Sequence, residues 1–208
     1  LVSLSRSNPH RASAARFASP ENTTMANEQF GPLAALIGTW EGDQGVDVSY
    51  SYSAKKIIET PYRETATFNI VGDVTNGDQT LWVLDYTTAA IRIGESDVFH
   101  TELGYWLWDP AREEVMRCFM VPRGSTILAG GKCKANAKSF QMSAKKDDPA
   151  YGVLSNPYLI EKAVCTEYNL SCTIDGDTWS YEEDTVLDMA VTGNTVHHTD
   201  KNTLKKVK

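Results

Sequence analysis

Ten strand-like runs fill the chain between residues 39 and 205, and this series constrains the fold more than any other feature of the sequence. The runs are rich in Val, Thr, Tyr, Phe and Trp, which sheets favour, and turn signals such as Asn76-Gly77 and Asp175-Gly176 separate them. A helical period of useful length does not recur after residue 37. The predicted strands are residues 39–43, 63–71, 79–87, 98–108, 115–121, 125–132, 139–145, 163–174, 179–189 and 195–205.

Antiparallel runs that follow one another in this way predict a meander that closes on itself. Closure removes the two exposed edges of a sheet, and a ring of ten strands leaves an interior wider than core side chains alone fill. We therefore expect an all-β fold, a ten-stranded antiparallel up-and-down β-barrel with room for a small ligand. The segment F-G-P-L-A-A-L-I, residues 30–37, predicts a short N-terminal helical turn that plugs one end.

The length of the chain indicates one barrel domain, residues 29–208, behind a disordered leader, residues 1–28. The leader is rich in Ser, Ala, Arg and Asn and has no apolar period. An organelle transit segment, an incomplete start and translated sequence upstream of Met25 are alternative explanations of it. The formal net charge of −7 excludes nucleic acid as the main partner, because phosphate backbones require clustered Lys and Arg.

The cysteines and the apolar runs bear on the compartment. The four cysteines, at positions 118, 133, 165 and 172, show neither a C-x-x-C pair nor metal-ligand spacing, so we expect buried free thiols, with a disulfide as the alternative. Free thiols favour a reducing compartment and hence a cytoplasmic protein. No apolar run approaches the roughly 18 residues that a membrane-spanning helix needs, so no membrane partner is expected.

Two neighbouring histidines near the end of the chain, His197 and His198, are the first candidates for chemistry. Alternation along a strand puts them on opposite faces, so only one of them can point into a barrel, where it could hold a metal. The alternative is that both are solvated or hydrogen-bonded residues of an edge strand.

A second candidate lies in F-H-T-E-L-G-Y-W-L-W, residues 99–108. A period of two puts His100 and Glu102 on one face together with two tryptophans, and His100 either donates to a ligand or bonds to Glu102. No nucleophile elbow, phosphate-binding loop, dinucleotide fingerprint or zinc-protease motif is present. The sequence therefore shows no residues that would perform hydrolase chemistry.

Two further residues have both a structural and a functional interpretation. Trp40, in G-T-W at residues 38–40, either plugs the barrel floor or lines a pocket. Arg123, in the tight turn V-P-R-G, either balances a carboxylate at a barrel mouth or is a solvated loop residue.

Segments in four parts of the chain, taken in order, carry a resemblance to a known family. They read G-T-W-E-G-D-Q-G at 38–45, H-T-E-L-G-Y-W at 100–106, V-P-R-G with L-A-G-G at 121–131, and V-L-D-M-A followed by H-T-D-K-N-T-L-K at 186–205. Over residues 30–206 this ordered set resembles the nitrobindin family. Its members are ten-stranded β-barrels, related in plan to fatty-acid-binding proteins, that bind haem.

The resemblance implies a haem b whose iron is held by an axial histidine on the last strand. His198 matches that ligand, although it stands one residue farther from Leu204 than in the family pattern, so a bulge would make His197 the alternative. His100 matches the second histidine of the family's pocket. The remaining cofactor-binding residues that the resemblance implies are Thr39 and Trp40 in the pocket floor and Met189 against the macrocycle.

The implied function is ferric haem binding with an iron position open to small ligands. The implied partners are haem and nitrogen oxides, with isomerisation of peroxynitrite to nitrate as the expected enzymatic activity and a homodimer through a barrel face as an open option. Residues 46–61 depart from the family pattern, so one pocket wall could close over the haem, narrow the cavity or leave a barrel for another apolar ligand.

Two other functions remain as alternatives. A non-enzymatic carrier of fatty acid or another apolar small molecule would use the same barrel and needs an inward Arg-Tyr pair for a carboxylate. Arg117 or Arg123 with Tyr168 are the candidates for that pair. A structural or interaction module would instead need a filled barrel with no cavity.

Overall fold

Ten strands form a closed antiparallel barrel in the computed structural model, which describes residues 27–208. A 3₁₀-helix, Glu28–Leu36, precedes the first strand, and a short helix, α1 (Pro157–Lys162), lies in the sequence between the eighth and ninth strands. The strands are β1 (Gly38–Ser51), β2 (Lys56–Asn76), β3 (Gln79–Arg92), β4 (Val98–Asp109), β5 (Glu114–Val121), β6 (Ser125–Lys132), β7 (Ser139–Lys145), β8 (Val153–Ser155), β9 (Ala163–Asp175), β10 (Thr178–Met189) and β11 (Asn194–Lys206).

The ring closes because each of the ten long strands has a neighbour on both sides. Strands β1 to β7 and β9 to β11 follow one another around the barrel, and β11 pairs with β1. The contact between β6 and β7 is a single pair, Gly130 with Ser143, and the three-residue β8 pairs with β6 beside it. The predicted ten-stranded up-and-down barrel is confirmed.

Several elements differ from the prediction. Strands β1 and β2 are longer than predicted, because residues 46–61 belong to a β-hairpin. Strand β8 and helix α1 occupy the connection between β7 and β9, where the sequence predicts no element. Helix α1 is too short to show a period, and it begins where the side chain of Asn156 accepts a hydrogen bond from the backbone N–H of Leu159 at 3.1 Å.

The leader and the cysteines complete the comparison with the prediction. The predicted disordered leader, residues 1–28, lies outside the described residues except for its last two, and Glu28 begins the 3₁₀-helix. All four cysteines are free thiols, as expected, but only Cys165 and Cys172 are buried, whereas Cys118 and Cys133 are half-buried. From residue 27 onward, no helix has both the length and the apolar character needed to cross a membrane.

The 3₁₀-helix plugs one end of the barrel. Its Phe30, Leu33 and Leu36 are buried, and the indole N–H of Trp40 donates a hydrogen bond to the carbonyl of Leu36 at 2.7 Å. Trp40 also packs edge-on against Trp179, with ring centroids 6.2 Å apart. The structure thus places Trp40 in the closed floor of the barrel.

Gly31 allows the 3₁₀-helix to lie against this floor. Its backbone has φ +55° and ψ −130°, a conformation that residues with a Cβ rarely adopt. A Cβ added at Gly31 would lie 2.5 Å from Nε1 of Trp108, which is itself buried. Both the backbone and the packing therefore require glycine here.

We expect Gly31→Ala to lower the free energy of unfolding by about 2–4 kcal/mol, because backbone strain adds to a clash with Trp108. Gly77→Ala is the matched control: Gly77 has φ +63°, and its added Cβ would meet no atom within 4 Å. The control should lose only about 1 kcal/mol from backbone strain. Urea unfolding of both variants measures the difference, and equal losses would show that Trp108 imposes no packing constraint.

Candidate functional site

The open end of the barrel, opposite the 3₁₀-helix, carries the candidate site. We call this end the mouth and define it by Asp47, Tyr62, His100, His198 and Asp200. Asp47 contacts His198, Tyr62 donates to Asp200, and the charge of His100 acts on both Asp47 and His198. Strands β1, β2, β4 and β11 supply these side chains, so only the closed barrel brings them together.

His198 points to the inner face of the barrel. Val196, Asn202 and Leu204 are buried on β11, and alternation places His198 on the same face. Its Nε2 lies 2.5 Å from Oδ2 of Asp47. Because the side chain is 36% exposed, a ligand at the mouth can reach it while Asp47 holds the ring.

His197 points outward. Its side chain is 61% exposed, and its Nδ1 lies 2.8 Å from Oδ2 of Asp184 on the outer face. Strand β11 pairs with β10 in continuous register from Asn194 to Lys205, without the bulge that would turn His197 inward. Of the two histidines, only His198 faces the mouth.

Asp47 reaches the inner face through a β-bulge in β1. The register between β1 and β2 shifts between Gly42 and Gly45, and beyond the shift Asp47 points inward instead of the valine on either side of it. Its Oδ1 accepts a hydrogen bond from the hydroxyl of Ser49 at 2.6 Å. Although burial favours the neutral acid, the bonds to His198 and Ser49 lower the pKa of Asp47 below its usual value.

His100 stands at the same end on β4. Its Nε2 lies 3.3 Å from Oε1 of Glu102, the contact that the alternation of this strand predicts. Burial alone would lower the pKa of His100, but the carboxylate of Glu102 raises it above the usual value. With 42% of its side chain exposed, His100 also remains open to a ligand.

Below the mouth, a buried network centred on Arg117 fills the barrel. The guanidinium donates through Nε to the hydroxyl of Tyr86 at 3.1 Å and through Nη1 to the hydroxyl of Tyr168 at 2.5 Å. It also forms ion pairs with Glu102 and Glu183. One cation is therefore shared by two carboxylates, and four of its five N–H donors are occupied by the protein itself.

Glu64 anchors a second group of buried side chains. It accepts hydrogen bonds from three of them at 2.5 to 2.9 Å: Thr88, Tyr181 and Asn202. Because these residues lie on β3, β10 and β11, the carboxylate joins strands on opposite sides of the barrel.

Asp200 lies between these groups and the mouth. Burial, followed by the negative charges of Glu183, Glu64 and Asp47, raises the pKa of Asp200 to about 8, although the hydroxyl of Tyr62 donates to it. At neutral pH this side chain is therefore largely protonated. Its neutral form relieves part of the repulsion among the interior carboxylates.

The space left by these side chains is small. The cavity between them has a volume of about 30 Å³, enough for water, whereas pockets for cofactors occupy roughly 300–1,000 Å³. A cofactor of haem size therefore cannot lie below the mouth with these side chains in place. The cavity reaches up to three residues of the mouth, Tyr62, His100 and Asp200, so a haem bound there requires these side chains to move.

The donor atoms at the mouth suit the iron of a haem better than a free metal ion. Within residues 27–208, no group of three or more His, Cys, Asp and Glu side chains is arranged to hold a metal ion. A free ion commonly needs three or four protein ligands, whereas a porphyrin supplies four nitrogens and its iron needs one axial ligand from the protein. The imidazole of His198 is an inward, partly exposed side chain of the type that can fill this position.

Two of the predicted cofactor-binding residues lie far from the mouth. The hydroxyl of Thr39 is 3.3 Å from that of Thr67 on the outer face. Trp40 pairs with Lys206, which is eight residues from His198 along β11 and thus roughly 26 Å away. The structure therefore does not bring Thr39 and Trp40 to the mouth.

The other predicted residues lie on the mouth side of the barrel. His100 and His198 belong to the mouth itself. Met189 is buried at the end of β10, four residues beyond Thr185, which pairs with His198. Met189 is therefore nearer the mouth than the floor, on the strand next to the candidate ligand.

Sequence reasoning missed most of the polar side chains around His198. Alternation along H-T-D-K-N could have revealed Asp200 and Asn202, because both share the face of His198. Asp47 gave no such signal, since V-D-V in a strand predicts inward valines and an outward carboxylate. Glu64 differs, because it shares the inner face of β2 with Tyr62 and Ala66, so alternation could have placed it inward.

A substitution of Glu102 tests whether its ion pair with Arg117 stabilises the buried network. Despite its burial, the charge of Arg117 lowers the pKa of Glu102 to about 2. The resulting stabilisation is complete above the unfolded-state value of 4.5 and is lost as the pH falls from there towards 2. We expect Glu102→Gln to lower the free energy of unfolding by about 3 kcal/mol at pH 7, and by progressively less below pH 4.5, as measured by urea unfolding.

The matched control is Glu95→Gln, which removes a carboxylate from an exposed ion pair. Arg92 lies 3.2 Å from Glu95 at the surface, and such a pair contributes at most about 1 kcal/mol. A loss in Glu102→Gln that does not change with pH would contradict the assigned ion pair with Arg117.

Comparisons with known proteins agree with this architecture. A family model described as "THAP4-like, heme-binding beta-barrel domain" matches residues 29–206. A solved structure, "Crystal Structure of Rv2717c from M. tuberculosis", has a TM-score of 0.61 and 21% sequence identity, and the match covers 91% of this chain and 99% of that chain. At this identity the likeness shows the fold. No curated protein matches the sequence.

Proposed function

Because the chain belongs to the family of THAP4-like, heme-binding β-barrel domains, we propose that it binds one haem b at the mouth with His198 as the axial ligand. The observation that carries this proposal is the inward, partly exposed imidazole on the last strand, held by the buried carboxylate of Asp47. A carboxylate is one of the common hydrogen-bond partners of a metal-bound histidine.

We propose further that the bound haem binds small nitrogen oxides. A haem held by His198 would supply an iron able to bind nitric oxide and to isomerise peroxynitrite to nitrate. Because Nε2 of His100 is bonded to Glu102, the donor to a small ligand would be Nδ1–H of the protonated ring, the form that the raised pKa of His100 favours. The chain's own contribution is thus the axial nitrogen and one positioned donor.

The charges around the mouth favour an uncharged ligand. Even without Asp200, which is largely protonated, the carboxylates that line or adjoin the interior outnumber its one guanidinium, that of Arg117; they are Asp47, Glu64, Glu102 and Glu183. Nitric oxide carries no charge and is not opposed by them, whereas the peroxynitrite anion is repelled. We therefore propose nitric oxide as the principal ligand and peroxynitrite isomerisation as a secondary reaction.

The same charges oppose the alternative of a fatty-acid carrier. Arg117 and Tyr168 do meet, as binding of a carboxylate would require. However, Glu102 and Glu183 already neutralise Arg117, so no positive charge is left for a ligand. Arg123 is exposed in the turn between β5 and β6. An anionic lipid would add a further negative charge to an acidic interior.

A haemin titration followed by absorption spectroscopy tests the proposal. We expect the wild type to give a Soret band that saturates at one equivalent, and His198→Ala to lose this saturable band, because the axial nitrogen is gone. His197→Ala is the matched control and should bind haem like the wild type, since His197 points outward. Equal haem affinity in wild type and His198→Ala would refute the assignment of the ligand.

We also propose a homodimer through the outer face of β4 and β5. The outward side chains in the middle of these strands are uncharged: Leu103, Tyr105, Leu107, Met116, Cys118 and Met120. Leu103 and Met120 are neighbours across the two strands and are both more than half exposed. Exposed apolar patches mark interaction sites, and this one lets two copies of an acidic protein meet without bringing like charges together.

Sedimentation velocity tests the dimer. We expect Leu103→Lys to raise the dimer dissociation constant at least tenfold, because it places a charge at the centre of the shared face. Ile57→Lys, at an exposed apolar residue of β2 outside this face, is the matched control and should leave the dimer unchanged. A monomeric wild type, or equal dimerisation of the two variants, would refute this interface.

A further inference from the structure

The indole N–H of Trp106 is a buried donor for which residues 27–208 provide no acceptor. The side chain is only 1% exposed, on the inner face of β4. Buried donors almost always have a partner, because an N–H that leaves water without a replacement hydrogen bond costs free energy. A missing acceptor at this depth therefore points to a bound molecule.

Trp106 borders the interior cavity of about 30 Å³. Its neighbour across β4 and β5 is Arg117, whose Cζ lies 5.4 Å from the centre of the indole ring. Of the two N–H groups on Nη2 of Arg117, one pairs with Glu102 and the other meets no acceptor in the part of the chain that the structure describes. Two residues with an unused donor therefore lie side by side at the same cavity.

Trp179 borders the cavity from β10, on the opposite side of the barrel. Its indole N–H also lacks a hydrogen bond to the described residues. However, the thiol of Cys172 lies beside this N–H, which favours the charged form of the thiol although burial raises its pKa. A thiol is a weak acceptor. Trp106 is therefore the stronger candidate for holding a bound molecule.

The charges around the cavity select water as that molecule. Besides the largely protonated Asp200, three carboxylates border the cavity, and they repel an anion; they are Glu64, Glu102 and Glu183. Arg117 and the unused N–H groups repel a cation. Water suits both kinds of group, because it accepts from an N–H and donates to a carboxylate. A water needs roughly 10–15 Å³ of such a cavity, so about two can fit.

We propose that the cavity holds ordered water, and that one molecule accepts the N–H of Trp106 and donates to a carboxylate of the network around Arg117. The cavity extends from there to His100 and Asp200 at the mouth. The water therefore connects the buried ion pairs to solvent, and protons reach the buried carboxylates without opening of the barrel. This site needs no haem.

NMR of the haem-free protein, with nitrogen-15 in its tryptophans, tests the site. We expect a rotating-frame NOE cross-peak between the indole proton of Trp106 and water, at the resonance of bulk water because the bound molecule exchanges with solvent during the mixing time. Trp40 is the internal control, since its N–H donates to Leu36 at 2.7 Å and should show no such cross-peak. Trp106→Phe identifies the signal. No cross-peak at Trp106, or an equal one at Trp40, would overturn the proposal.

A second variant excludes a hydroxyl as the source of the cross-peak. The ring of Tyr86 lies 6.1 Å from that of Trp106, and its hydroxyl proton exchanges with water. We expect the cross-peak of Trp106 to persist in Tyr86→Phe. Its loss in this variant would overturn the assignment to a bound water.

The connection to the mouth is tested at Ala90, which is 5% exposed, borders the cavity and pairs with His100 across β3 and β4. We expect Ala90→Val to weaken the cross-peak of Trp106 at least twofold, because the added methyl groups narrow the path to solvent. Ala89→Val is the matched control and should leave it unchanged, since the neighbouring Ala89 faces outward. Equal intensities in the two variants would overturn the connection.

Discussion

The buried guanidinium of Arg117 is the interaction on which the rest of the interior depends. From β5 it reaches Tyr86 on β3, Glu102 on β4, Tyr168 on β9 and Glu183 on β10, and so joins five of the ten barrel strands. A buried charge is tolerated only when its partners are all in place, because each unmet partner costs several kcal/mol. The interior is therefore a specific hydrogen-bonded arrangement, unlike the apolar filling of a lipid carrier.

This arrangement determines where ligands can bind. A ten-stranded barrel has room for a ligand inside, but here the side chains around Arg117 and Glu64 leave about 30 Å³. The two candidate imidazoles, His100 and His198, therefore lie above the network, at the mouth, and His100 is hydrogen-bonded to the network. His100 bonds to Glu102, which pairs with Arg117, so the imidazole at the mouth is oriented by a charge deep in the barrel.

The sequence predicts the barrel well because its strands depend on local signals. Alternation and turn residues act within a few positions, and they predict nearly all the strands in the right places. The contacts among interior side chains could not be predicted in this way. Arg117 lies between the inward residues Val115 and Phe119, where a lone cation looks out of place, and its partners Glu102 and Glu183 are 15 and 66 residues away in the chain. Only the closed fold shows that they meet.

The segment in which this chain departs from the nitrobindin pattern is also the segment that touches the candidate iron ligand. Residues 46–61 extend the hairpin of β1 and β2, and Asp47 at its base contacts His198. The proposed iron ligand lies on the last strand of the family fold, whereas the carboxylate that holds its Nε2 lies on the hairpin in which this chain departs from the family pattern.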